Sequence, residues 1–393
     1  MARAPRQIMT LIAAAMALIL VTPTSSASAA PADPSTDPFF AAPANLGTLD
    51  PGTVIRSRPV STKLIPGIPL GGKSYQILLR SNDAKDRPAA VTATIIVPRN
   101  ATKKQLLAYQ PATDSLGAKC EPSYALQTGS EKEAALIAQG LSKGLTVVVP
   151  DHQGPRHAYA AGRMAGHATL DAVRAATRFP EANLAGASTK VGMVGYSGGA
   201  IATGWAAQLH PSYAPDINLV GVASGGTPAD LEVAGRNLDG GLFSGLFLGA
   251  ALGVMREYPE LRSLLNAEGL RFEQRVKNAC VNELVLNAFQ SIKRFSDSPD
   301  PLAEPVTKRV LGDNKMGALA PTAPVMLWHA TLDELIPYRL APALRDKWCS
   351  QGTKVKLVTN RFTEHNLGAV IWLNDALPFL LDRYAGKPVT GTC

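Results

Sequence analysis

The sequence predicts an α/β architecture in which a mostly parallel central sheet is covered on both faces by helices and a helical segment is inserted late in the chain. Three observations predict it. Short runs rich in β-branched residues alternate with helical periodicity along most of the chain. One Gly-rich turn, Gly195-Tyr196-Ser197-Gly198-Gly199, joins such a run to a segment of small helical residues. Between Gly226 and Pro321 the alternation stops, and the chain becomes helical and loop-rich before it resumes.

In chain order, the first segment reads as an export signal. Arg3 and Arg6 form a basic start, Ile8 to Val21 is apolar apart from Thr10, and Ala27-Ser28-Ala29 supplies small residues for cleavage after Ala29. Residues 1–29 are therefore expected to be removed, leaving a secreted, extracellular protein. Strands are expected at Val91–Val97, Leu106–Tyr109, Leu145–Val149, Val191–Val194, Leu219–Val222, Val325–Trp328 and Val355–Val358. Helices are expected at Glu131–Lys143, His167–Phe179 and Ala200–Leu209. Such alternation buries both faces of a parallel sheet. The organisation that follows is a core of residues 30–226 and 321–393, with residues 227–320 as a helical cap or lid. Within that insertion Gly240 to Met255 has no charged residue, which fits a helix buried between cap and core or a face that meets lipid.

Composition excludes several classes. Of 393 residues 46% are apolar and 18% charged, so the chain is neither disordered nor collagen-like. Beyond the leader there is no apolar run long enough for a stable membrane span. The formal charge of +8 falls to +6 when Arg3 and Arg6 leave, and pairs such as Lys293-Arg294 and Lys308-Arg309 are isolated, so no nucleic-acid surface is implied. Gly67 to Ser74 satisfies the phosphate-loop pattern G-x-x-x-x-G-K-S. A working phosphate loop needs a strand before it and a helix after it, whereas here prolines precede and Tyr75 to Leu79 reads as a strand. No metal or cofactor motif is present. The four cysteines, Cys120, Cys280, Cys349 and Cys393, suit an exported chain with two disulfides. Three pairings are open; joining neighbours in the tail gives Cys349–Cys393 and leaves Cys120–Cys280.

The turn at Ser197 carries the chemistry. A G-x-S-x-G sequence between a strand and a helix is a nucleophile elbow, where a serine is held on a sharp turn at the end of the sheet. Its partners should follow in the order acid, then histidine. Among six histidines only His365 lies beyond a plausible acid loop. Asp333 stands just past the strand ending at Trp328-His329, with Glu334 as the adjacent alternative. Ser197 attack on an ester, assisted by His365 and oriented by Asp333, produces an oxyanion that needs preorganised donors. One is the N–H of Gly198; the second should come from the loop Gln110 to Ser115, which has no HGGG sequence.

These residues, with Asp37-Pro38-Phe39-Phe40, Pro51 to Pro59, Tyr109 to Ser115 and Pro150-Asp151-His152-Gln153-Gly154-Pro155, resemble the secretory lipase family of α/β hydrolases, the Candida antarctica lipase A-like group. The resemblance runs through most of the chain after the leader. It implies Ser197, Asp333 and His365 as the triad, Asp114 and Gly198 at the oxyanion hole, and disulfides Cys120–Cys280 and Cys349–Cys393. Family members often have tyrosine where this chain has His152, which is read as a supporting or surface residue. The implied activity is a serine carboxylic-ester hydrolase, a lipase acting on acylglycerols or other fatty-acyl esters at a lipid–water interface, without cofactor and as a monomer. The alternatives are a serine acyltransferase and a non-catalytic lipid-binding protein on the same fold.

Overall fold

Nine strands build one twisted sheet, and every element that positions Ser197 hangs from its C-terminal edge. The computed structural model describes residues 31–101, 104–391 and 393; the predicted leader, residues 1–29, lies outside them. The strands are β1 (Val54–Val60), β2 (Lys63–Ile65), β3 (Ile68–Pro69), β4 (Lys73–Asn82), β5 (Pro88–Val97) and β6 (Gln105–Gln110). They continue as β7 (Thr146–Pro150), β8 (Lys190–Tyr196), β9 (Leu219–Gly225), β10 (Val325–Ala330) and β11 (Val355–Asn360). The main sheet has the order β1-β4-β5-β7-β6-β8-β9-β10-β11, while β2 and β3 form a separate two-stranded hairpin.

From β7 to β11 every neighbouring pair is parallel, but β1, β4 and β5 join antiparallel at one edge. The sheet is therefore mixed, with its parallel part around the elbow. β1 escapes the hydrophobic pattern because Arg56, Arg58 and Pro59 interrupt it, as an edge strand permits. Arg58 pairs with Asp37 at 2.7 Å and lies 4.2 Å over the Phe39 ring, which ties the N-terminal segment to that edge. The phosphate-loop look-alike is the β2–β3 hairpin running into β4, with no helix after it.

Along the central strands successive side chains enter different cores. Leu106, Ala108, Val191, Met193, Val325 and Leu327 face one, whereas Leu107, Tyr109, Val194, Tyr196, Met326 and Trp328 face the other. This period of two is what a doubly covered sheet requires. The covering helices are α1 (Pro122–Thr128), α2 (Ala134–Ser142), α3 (Gly162–Arg178) and α4 (Gly198–Tyr213). The expected helix at 167 starts earlier, at Gly162, because Gly162-Arg163-Met164-Ala165-Gly166 already packs inward.

Between β9 and β10 lie five α-helices and no sheet strand: α5 (Leu231–Leu238), α6 (Ser244–Glu257), α7 (Ala267–Val276), α8 (Val281–Val285) and α9 (Pro305–Asp313). The chain ends in α10 (Leu340–Ser350), α11 (His365–Ile371) and α12 (Leu373–Tyr384). α6 carries the run from Ser244 to Met255 and buries most of it, as a helix packed between cap and core does, while Leu242 just before it is exposed. Its C-terminal end is fixed by ions: Glu257, fully buried, accepts from Arg156 Nε at 2.9 Å, and Arg156 also reaches Asp83 at 2.9 Å. Among the described residues no helix is long and apolar enough to cross a membrane. Disulfides join Cys120 to Cys280 and Cys349 to Cys393, across separations of 160 and 44 residues. For loops of that size the chain-entropy model gives upper figures of about 5 and about 4 kcal/mol.

Candidate active site

The end of β8 turns into α4 within a single residue, and that residue is Ser197. Its backbone, at φ 53° and ψ −119°, is in a region that costs a non-glycine residue roughly 1–3 kcal/mol. The surrounding contacts enforce it: Ser197 N–H donates to Gly225 at 2.9 Å, and its own carbonyl starts α4 by accepting from Ala200 at 2.9 Å. The flanking glycines are required by space. A Cβ on Gly199 would stand 2.0 Å from the Gln110 carbonyl oxygen, and one on Gly198 would stand 1.7 Å from Asp114 Oδ1. Gly198 therefore brings the helix N-terminus, with its unsatisfied N–H groups and positive dipole end, directly against the loop that follows β6.

His365 opens α11 after β11, and Asp333 lies in the loop after β10. The structure brings the three together. His365 Nε2 is 2.8 Å from Ser197 Oγ, and His365 Nδ1 is 2.7 Å from Asp333 Oδ2. Asp333 Oδ1 accepts the N–H groups of Leu335 and Ile336 at 3.0 and 2.7 Å, which fixes the carboxyl plane. Burial alone would raise its pKa, but hydrogen bonds from His329, His365 and the Ile336 N–H outweigh that and hold it well below the usual carboxylate range. Asp333 is therefore the anion that an imidazolium at 365 needs.

Three further groups support the relay in roles that the sequence does not assign to them. His329, fully buried in β10, has Nε2 3.3 Å from Asp333 Oδ2 and 2.9 Å from the Ile336 carbonyl. Its signal was a lone polar residue in an otherwise apolar strand, four positions before the acid. Tyr196 donates its hydroxyl to the His365 carbonyl at 2.9 Å and packs against Trp328 and Trp372. Glu334, the alternative acid, instead accepts the His365 backbone N–H at 3.1 Å.

Asp114 is buried on the loop after β6 and is one of the few non-glycine residues with positive φ, at 45°. Burial raises its pKa to about 6, opposed by Lys132, His365 and the facing Tyr159 hydroxyl. His152 is buried and not on the surface, with Nε2 2.8 Å from the Pro111 carbonyl. Cys120 and Cys280 staple this neighbourhood to the inserted helices, beside a Leu116 N–H to Ala279 bond of 2.9 Å. Cys349 and Cys393 lie at the far end of the sheet, by Thr353. Among the described residues no group of three or more histidines, cysteines or carboxylates is arranged to hold a metal.

A cavity of about 140 Å³ lies between the inserted helices and the sheet edge, bounded on the core side by Tyr159, Ile201 and Ile336. Its other walls come from Leu231, Leu246, Phe247, Leu252, Phe272 and their neighbours. Ile201, one turn into α4 from Ser197, is the wall nearest the elbow in sequence; Ser197, Asp333 and His365 themselves do not line the cavity.

Comparison with known proteins agrees with this architecture. The family model for secretory lipases matches residues 121–392, a span that includes Ser197, Asp333 and His365. A secreted triacylglycerol lipase of Malassezia restricta is 36% identical over 386 residues, covering 92% of this chain and 82% of that protein. A Mycobacterium tuberculosis protein described as a probable inactive lipase is 35% identical over 374 residues, covering 91% and 84%. The crystal structure of Candida antarctica lipase A in its closed state superposes with a TM-score of 0.86 at 30% identity, covering 92% of this chain and 89% of that one. With a family model spanning well over half of its length and relatives of this identity along almost all of it, the chain belongs to the secretory lipase family.

Proposed function

We propose that the protein is a secreted serine carboxylic-ester hydrolase, a lipase that cleaves acylglycerols or other fatty-acyl esters through an acyl-Ser197 intermediate. The observation that carries this reading is the unbroken relay from Ser197 Oγ through His365 to Asp333, at 2.8 and 2.7 Å, beside an apolar cavity. His365 Nε2 takes the hydroxyl proton as Oγ adds to the ester carbonyl, and Asp333 keeps the imidazole in the Nδ1–H tautomer and stabilises its cation. The oxyanion is received by N–H groups at Gly198 and Asp114, in a site where each donor contributes about 2.7–4 kcal/mol. Collapse of the tetrahedral adduct passes the proton from His365 to the leaving alcohol. Water then repeats the sequence on the acyl-serine, returning the acid and free Ser197.

In this reading residues 227–320 form the cap, and the cavity beneath α6 takes the acyl chain. Exposed Leu332 and Phe362 lie on the loops after β10 and β11, and exposed Leu367 and Val370 on α11, all close in sequence to Asp333 or His365, which suits contact with a lipid surface. The Malassezia relative's description as secreted agrees with export of this chain through a cleaved leader.

The test is p-nitrophenyl ester turnover together with fluorophosphonate labelling. Ser197→Ala should lose both, with turnover down at least 10⁴-fold and Tm unchanged. Full turnover in that variant would sink the assignment, and a wild-type protein that neither turns over nor labels would be a lipid-binding relative without catalysis. A rate that jumps as substrate passes its solubility limit marks a lipase, whereas saturation on soluble esters marks an ordinary esterase.

A further inference from the structure

One peptide group in the loop beside Gly198 is gripped at both ends by side chains from elsewhere in the fold. The carbonyl of the Pro111–Ala112 peptide lies 2.8 Å from His152 Nε2, and its N–H donates to Glu133 Oε1 at 2.7 Å. His152 follows β7 and Glu133 precedes α2, so the two grips come from separate elements. Because a peptide group is planar, fixing both its ends fixes the orientation of the chain that leaves it.

Each grip is itself supported. Glu133 Oε2 is hydrogen-bonded to the Tyr109 hydroxyl at 2.6 Å, and Tyr109 is fully buried in β6. A carbonyl oxygen only accepts, so His152 must carry its proton on Nε2, and burial lowers its pKa and keeps the ring neutral. Among the described residues His152 Nδ1 has no hydrogen-bond partner, so the bond to Pro111 is the hydrogen bond that defines the ring's orientation. Burial, reinforced by Glu131, pushes the Glu133 pKa up to about 8, which makes glutamine a close substitute for its neutral form. Three residues further on, Gln153 closes a second clasp, accepting the Ser115 N–H at 3.4 Å and donating to the Ser115 carbonyl at 2.7 Å.

Between the two clasps stands Asp114, left-handed at φ 45° and with its carboxyl against Gly198. A non-glycine residue keeps such a backbone only when its surroundings over-determine it. Placement of the Asp114 N–H matters because an error of about 1 Å in a catalytic donor costs on the order of 100-fold in rate.

We propose that Glu133 and His152 are positioning residues that clamp the Pro111–Ala112 peptide and thereby hold Asp114 in register with Gly198 for the oxyanion. The proposal rests on the ester-hydrolase reading above, and neither residue touches the reacting atoms. Glu133→Leu and His152→Met remove a grip; Glu133→Gln and His152→Gln keep a group of matching hydrogen-bonding capacity at similar reach.

The experiment uses the full mature chain with p-nitrophenyl butyrate. Active sites are titrated with a fluorophosphonate, and amide exchange is followed over residues 110–115. The removal variants should lose about 10- to 100-fold in kcat per titrated site, with KM within twofold and faster exchange across the loop. The glutamine variants should recover to within about fivefold of wild type. Should the removal variants fail to fold, His152→Asn against His152→Gln decides, because the asparagine amide matches Nδ1 and falls short of Pro111. Equal rates in that pair overturn the proposal. So does an unchanged kcat with altered Tm, which marks a purely structural bond, or unchanged exchange in folded removal variants. Wild-type protein that neither turns over nor labels refutes the hydrolase reading itself and takes the clamp's catalytic role with it.

Discussion

The elbow and the inserted helices face each other across the sheet edge and are built on opposite principles. Around Ser197 the reacting side chains are tied by specific hydrogen bonds, the backbone is held in costly conformations, and glycines sit where a single Cβ would collide with Gln110 or Asp114. Across the cavity the walls are Leu246, Phe247, Leu252 and Phe272, which need only to be apolar and to fill space. Polar order enters that side at its margins, through Glu257 with Arg156 and through Cys120–Cys280. The difference teaches that a reaction constrains residue identity atom by atom, while a hydrophobic pocket constrains volume and is met by many sequences.

The comparison can be broken most severely at Gly198. A Cβ there would stand 1.7 Å from Asp114 Oδ1, so Gly198→Ala should displace the loop and lower kcat on the order of 10²–10³-fold, the usual cost of one oxyanion donor. Turnover within tenfold of wild type in that variant would show that the elbow tolerates what the packing forbids.

A second prediction separates stability from chemistry at the same loop. Asp114 has a folded-state pKa of about 6 against an ordinary 3.8, so the folded protein holds this proton more tightly than the unfolded chain does. Its contribution to stability therefore falls as pH rises between those values and is flat above them. Asp114→Asn should be more stable than wild type by about 3 kcal/mol at pH 7–8, with the gain vanishing below pH 4. Tm measured against pH for both proteins checks this, and a gain independent of pH would argue against burial as the cause.

The mildest change should come from the apolar side. Ala234 is buried on α5 and lines the cavity, so Ala234→Phe fills space there without touching the relay. Rates on long-chain esters should fall roughly tenfold relative to butyrate, at a stability cost of about 1–3 kcal/mol for overpacking. A uniform loss at every chain length would sharpen the comparison differently, by making the cavity part of the cap's packing and no part of substrate selection.

Legibility in the sequence follows the same division. The elbow was readable because Gly195, Ser197 and Gly199 are adjacent in the chain and their strand-to-helix context is local. His365 and Asp333 were readable by chain order, although only folding shows that His365 reaches both neighbours at hydrogen-bonding distance. The contacts of His329 and Glu133 were not, and His152 stood out only by resemblance as a supporting or surface residue, because each meets a group brought beside it by the fold, and no spacing marks such a partner. The uncharged run from Gly240 to Met255 left two readings open, since a greasy surface and a buried helix have the same composition; only folding shows that α6 buries most of it while Leu242 is exposed. The antiparallel edge was missed at β1 because its arginines and proline are tolerated only where one side of a strand lacks a neighbour.

By itself, then, the sequence determined the α/β alternation, the single serine elbow, the order of its candidate partners and an even set of cysteines, all of which are set by local backbone preference or by position along the chain. The tertiary structure alone decided which carboxylate meets the imidazole, which side chains hydrogen-bond the loop after β6 and where the apolar volume lies. Those depend on distances between residues far apart in sequence, and such distances exist only once the sheet has brought its C-terminal edge together.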